Sequence, residues 1–96
     1  MIRHIVLCKL KENAPFEEIK SKIENLKNFI PEIKHIEVGA DIGYDKSASD
    51  FCILAEFDDE KGLDIYAKHP KHLEVIEFLK QFLTERRAVD YYVQKS

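Results

Sequence analysis

The sequence predicts an α+β domain in the order β-α-β-β-α-β, folded around a four-stranded antiparallel sheet. Residues 1–10 and 50–57 are apolar on both faces, the pattern of central strands covered on both sides. Residues 33–42 alternate polar and apolar side chains, which suits a half-exposed edge strand. Between these runs apolar residues recur at steps of three and four, the period of a helix with one buried stripe.

Residues 1–10 place Ile2, Val6, Cys8 and Leu10 on one face and Ile5 and Leu7 on the other. His4 shares the first face. Glu12-Asn13-Ala14-Pro15 reads as a helix start, with proline early, where its missing N–H costs little. Phe16, Ile19, Ile23, Leu26 and Ile30 then form the apolar stripe of a helix ending near Pro31, with Lys20, Lys22, Glu24 and Lys27 on its wet side. In the edge strand Lys34, His35 and Glu37 alternate with Ile36 and Val38, and a polar loop covers 43–49. Residues 50–57 set Phe51, Ile53, Ala55 and Phe57 against Cys52 and Leu54. Asp58 or Asp59 caps a short helix carrying Leu63, Tyr66 and Ala67, and His69-Pro70 breaks it. A third helix turns Leu73, Ile76, Leu79, Phe82 and Leu83 inward, and residues 88–94 form the last strand.

This is the ferredoxin-like arrangement, with its second helical segment kinked at Pro70 and the two doubly apolar strands in the middle of the sheet. Helices cover only one face of such a sheet. The face bearing Ile5 and Leu7 would meet water unless a second sheet covered it. Two copies packed face to face, a homodimeric α/β barrel, satisfy that need.

Composition bounds the function. Ninety-six residues make one domain, 1–96, with a thin core. An apolar fraction of 45% against 34% charged residues belongs to soluble globular proteins. A formal net charge of -3 argues against nucleic acid as a partner, because phosphate binding needs clustered Lys and Arg. No apolar run is long enough to span a membrane, and the N-terminus reads straight into a strand, so the expected location is cytoplasmic. Cys8 and Cys52 sit in apolar runs without C-x-x-C spacing and read as reduced, buried thiols. His69 and His72 stand three apart, but Pro70 spoils the helical geometry between them and no third ligand is near. Neither a metal nor another cofactor is expected.

Four stretches carry a resemblance: Ile2-Arg3-His4-Ile5-Val6-Leu7 with Lys9-Leu10-Lys11, Ile30-Pro31-Glu32-Ile33-Lys34 with Glu37-Val38-Gly39, Tyr66-Ala67-Lys68-His69-Pro70-Lys71-His72, and Val89-Asp90-Tyr91. Together they resemble the stress-responsive A/B barrel (Dabb) family over essentially the whole chain, most specifically in the Tyr-x-x-His-Pro-x-His stretch. The family includes plant heat- and boiling-stable proteins and a polyketide cyclase. The resemblance implies a dimeric α/β barrel. At the positions of the cyclase it implies His72 as general base, Tyr66 as hydrogen-bond donor to a developing enolate, and Asp90 as the carboxylate that holds His72.

The residues leave alternatives open at each place. His72 either titrates in a reaction or caps the third helix. Asp90 holds His72 or pairs with Arg86 or Arg87, and opposite strand parity would send it to the barrel interior. His4 is a satisfied core residue or a pocket wall, and the resemblance favours the wall. His69 is expected to end the short helix and meet its carbonyls, and His35 to lie on the surface. Phe51 is expected to line the pocket where the cyclase has a polar residue, making it smaller and drier, so the cyclase's long-chain substrate does not carry over. The expectation is a homodimer with a small, mostly apolar ligand pocket formed by His4, Phe51, Tyr66 and His72. Its alternative is acid-base catalysis on a small carbonyl compound without a cofactor.

Overall fold

The computed structural model describes residues 1–94; Lys95 and Ser96, the tail of the expected 1–96 domain, lie outside the described residues. The strands are β1 (Ile2–Leu10), β2 (His35–Ala40), β3 (Phe51–Phe57) and β4 (Leu83–Tyr92), and the helices are α1 (Phe16–Glu24), α2 (Glu60–Lys68) and α3 (Pro70–Lys80). The strands form one antiparallel sheet in the order β2-β3-β1-β4. This is the ferredoxin-like fold, with the two doubly apolar strands at its centre.

Each helix is set by local chemistry. Glu17 and Glu18 favour the positive N-terminal end of α1. That helix stops earlier than its apolar stripe suggests, tightening into a 3-10 turn at Asn25–Asn28 that still buries Leu26. Asp59 caps α2, its carboxylate accepting from the Gly62 N–H at 2.9 Å. His69, extended as a residue before proline prefers, ends α2, and Pro70 opens α3. The His69 ring caps α3, its Nδ1 accepting from the Lys71 N–H at 3.1 Å. It therefore serves the start of α3, while its backbone N–H donates to Tyr66 at the end of α2.

The last strand begins at Leu83, not near residue 88, and ends at Tyr92. Leu83 continues the helical spacing of Leu79, yet it pairs with Leu10 across a register shift at Lys9. Pairing with β1 overrides the periodicity.

The helix-covered face of the sheet is the core: Ile2, Val6, Cys8, Phe51, Ile53, Ala55 and Phe57 are buried beneath Ile19, Ile23 and Leu79. On the opposite face Leu7, Val89 and Tyr91 are exposed, at 44%, 53% and 39%. Cys8 and Cys52 are free and lie on opposite faces, in adjacent register pairs. The edge strand β2 is held from the side. Lys20 Nζ donates to the Val38 carbonyl at 3.2 Å, and the Val38 N–H donates to Glu24 Oε2 at 3.0 Å. Lys20 and Glu24 also pair with each other at 2.7 Å, so this part of the expected wet face of α1 is a strap over the sheet edge. These bonds to Lys20 and Val38 hold the Glu24 carboxyl below its ordinary value.

Candidate functional site

A cleft of about 550 Å³ opens where α2 gives way to α3 above β1 and β4. His4, Tyr66, Ala67, His72, Arg86 and Asp90 line it. Strand register brings its floor together. His4 stands opposite Asp90, and Cys8 opposite Arg86, so Asp90 and Arg86 share the helix-covered face. Ala88, between them on that face, lies opposite Val6 and contributes only a methyl group.

The helix junction supplies the roof. Tyr66, in the last turn of α2, is buried and packs against Phe57, with ring centroids 5.0 Å apart. The His72 ring lies 4.1 Å from the Tyr66 ring at an interplanar angle of 36°. His4 meets Tyr66 edge-on at 5.9 Å.

The hydrogen bonds distribute the carboxylate differently from the expectation. Asp90 Oδ1 lies 2.5 Å from His4 Nδ1, and no hydrogen bond joins Asp90 to His72 among the described residues. His72 instead places its Nδ1 3.2 Å from the Ala67 carbonyl oxygen, one of the acceptors left over at the end of α2. Both bonds require a proton on Nδ1, because carboxylate and carbonyl oxygens only accept. Each imidazole is thereby fixed in one tautomer with Nε2 as its acceptor. Of the two alternatives for His72, the cap of α3 is not seen: its ring serves the carbonyl end of α2.

Phe51 does not line this cleft. It is fully buried opposite Cys8, four pairs along the strand from His4, and packs on Phe16 with centroids 5.7 Å apart. Strand direction carries it to the other end of the core, so it makes nothing drier at the histidines.

Burial pushes the Tyr66 hydroxyl up to about 12, with the Arg86 charge pulling the other way, so it stays protonated at neutral pH. It makes no hydrogen bond among the described residues. Burial also lowers His72 below the ordinary histidine value, against the raising effect of the Ala67 bond, and keeps the ring neutral at pH 7. Arg86 escaped the sequence reading except as a partner for Asp90. Four residues along a strand separate the two by about 13 Å, too far to pair. Strand parity was the signal that could have placed it: Arg86 and Asp90 are both even-numbered residues on a strand beside His4.

A cleft at one end of a helix-covered antiparallel sheet defines a ferredoxin-like α+β protein. The chain matches the model of the stress responsive A/B barrel domain over residues 2–93, and it belongs to that family. A dimeric protein of unknown function and ferredoxin-like fold from Bacteroides fragilis NCTC 9343 is 32% identical. The match covers 96% of this chain and 95% of that one, with a TM-score of 0.82. A dimeric ferredoxin-like protein of unknown function from Thermobifida fusca YX is also 32% identical, over 96% of this chain and 90% of that one, with a TM-score of 0.86. The hydroxynitrile lyase of Passiflora edulis is 20% identical over 99% of this chain and 94% of that one; its TM-score of 0.88 is a likeness of fold. No curated protein matches the sequence.

Proposed function

We propose that this protein is a cytoplasmic homodimer whose cleft performs acid-base chemistry on a small carbonyl compound without a cofactor. The observation that carries the reading is the pair of tautomer-fixed histidines around an unpaired tyrosine hydroxyl. Nε2 of His72 removes a proton from the carbon beside the carbonyl. The electron pair released forms the enolate, and Tyr66 donates a hydrogen bond to its oxygen. Return of the proton from His72 completes the exchange. On the floor the Asp90 carboxylate accepts from His4 Nδ1 and holds that ring with its Nε2 free to accept a hydrogen bond from the ligand.

Dimerisation rests on the exposed apolar face bearing Leu7 and Val89 and on the dimeric state of the two relatives at 32% identity. Free Cys8 and Cys52 fit a reducing compartment. The hydroxynitrile lyase is an enzyme on the same fold.

The test is hydrogen–deuterium exchange beside the carbonyl of small ketones in D2O, followed by proton NMR. The protein should exceed buffer, and His72→Asn should remove about 100-fold or more of the gain. Exchange no faster than buffer for every ketone sinks the catalytic reading. Sedimentation tests the assembly: Leu7→Asp should dissociate the dimer, because an unpaired buried charge is costly. A wild-type monomer at micromolar concentration would refute the homodimer.

A further inference from the structure

We propose that Arg86 is the anchor for a carboxylate, and that the carbonyl compound taken by this cleft is a short oxo acid. The inference rests on the acid-base reading above and narrows it to a substrate class.

Among the described residues, Arg86 forms neither an ion pair nor a side-chain hydrogen bond. Arg87, its neighbour on the opposite face, is paired with Glu85 at 3.3 Å. The acids at the cleft are already taken. Asp90 is held by His4, Asp64 pairs with Lys68 at 3.1 Å, and Glu60 accepts from the Tyr92 hydroxyl at 2.5 Å. Among the described residues, Arg86 is therefore the one cleft residue with a permanent positive charge and a full set of unused donors.

Its position matches a bifunctional ligand. Arg86 lines the open cleft and also a smaller, more closed cavity of about 40 Å³ that shares His4, Tyr66 and His72 with it. Arg86 thus borders the core side of the site, shared with Ile76 and Leu79, as well as the groups assigned to the carbonyl. The flanking Ala88 methyl leaves the floor low on the side toward Asp90. A planar guanidinium binds a carboxylate through two parallel N–H···O bonds. A ligand seated that way presents a carbonyl a bond or two away to Tyr66 and His72, which describes a 2-oxo or 3-oxo acid. A carboxylate beside Arg86 also sits away from the acidic rim formed by Glu60 and Asp64.

The test compares 2-oxobutanoate with butanone, which has a methyl group in place of the carboxylate. Amide NMR titration reads binding, and deuterium exchange at the shared methylene reads chemistry. 2-Oxobutanoate should bind about tenfold or more tightly than butanone, the effect of one charge-assisted contact. Arg86→Gln should abolish that preference, and Arg86→Lys should restore part of it. Lys46→Gln, an equal loss of charge in the distant loop, should preserve it. If the two ligands bind alike, or if Arg86→Gln keeps the preference, the carboxylate anchor is wrong even where exchange is catalysed. If the preference depends on Arg86 but neither ligand exchanges faster than in buffer, the anchor stands and the acid-base reading falls.

Discussion

The two ends of the helix-covered sheet face are built from the same strands with the same parity, yet one is dry and the other polar. At one end Cys8, Phe51 and Phe16 close into core, and burial raises the Cys8 thiol to about 11. At the other end the same face carries His4 and Asp90 beneath Tyr66 and His72, while Arg86, level with Cys8 on the edge strand β4, borders the cleft from the side of the dry end. The difference lies in the roof. Phe16, in the first turn of α1, packs over the dry end, whereas the break at His69-Pro70 lies over the polar end. A helix end has carbonyls to spare, and one of them, on Ala67, orients His72. The half-buried His72 ring finds its partner in the junction, while the buried His4 finds its own in Asp90 across the strand pair.

The contrast can be broken by mutation. Phe51→Ala should cost about 4 kcal/mol by opening a cavity in the dry end, read as a lowered urea midpoint. A loss under about 1 kcal/mol would mean that the end is not close-packed. Tyr66→Phe should do the reverse. With no partner for its hydroxyl, stability should move by less than about 1 kcal/mol, while ketone exchange falls about 100-fold. A large stability loss with unchanged exchange would make Tyr66 a packing residue.

Acidity sharpens the comparison, because the polar end holds a histidine lowered from 6.5, whereas burial pushes the thiol of the dry end up to about 11. His72 is lowered on folding from 6.5, so the folded chain resists its protonation. Its contribution to stability is intact above 6.5 and is lost as pH falls from there toward the lower folded value. The pH profile of exchange should rise with pH through a limb centred below 6.5. His72→Gln should remove that component from the pH dependence of the urea midpoint; an unchanged dependence would show that another group carries it. The smallest effect concerns Cys8, which should resist thiol reagents at pH 8 in the folded protein. The denatured chain, without reductant, should titrate two thiols, and a count of zero would reveal a disulfide.

Much of this frame was legible in the sequence because strand parity and helical period report burial directly. The doubly apolar runs became the central strands, and Pro70 marked the junction. Three features were hidden for physical reasons. The charged run Thr84-Glu85-Arg86-Arg87 carries no alternation, since β4 is an edge strand exposed along nearly its whole length, so its start could not be read. The partner of Asp90 depends on register across β1 and β4, which pairs it with His4. Ala67 holds His72 through a backbone carbonyl, and a backbone acceptor leaves no mark in the identity of a residue.

The strap of Lys20 and Glu24 over Val38 bears on how the protein avoids fibres. A free sheet edge is a template for further strands, and here the outward N–H and C=O of Val38 are already occupied. The N–H half of the block rests on Glu24, whose carboxyl is held below its ordinary value by its bonds to Lys20 and Val38 and so keeps its charge to lower pH than a free glutamate. Protonation there weakens the hold on the Val38 N–H and the Lys20–Glu24 pair and leaves only the Lys20 bond to the Val38 carbonyl, so acid loosens the cover over this edge strand.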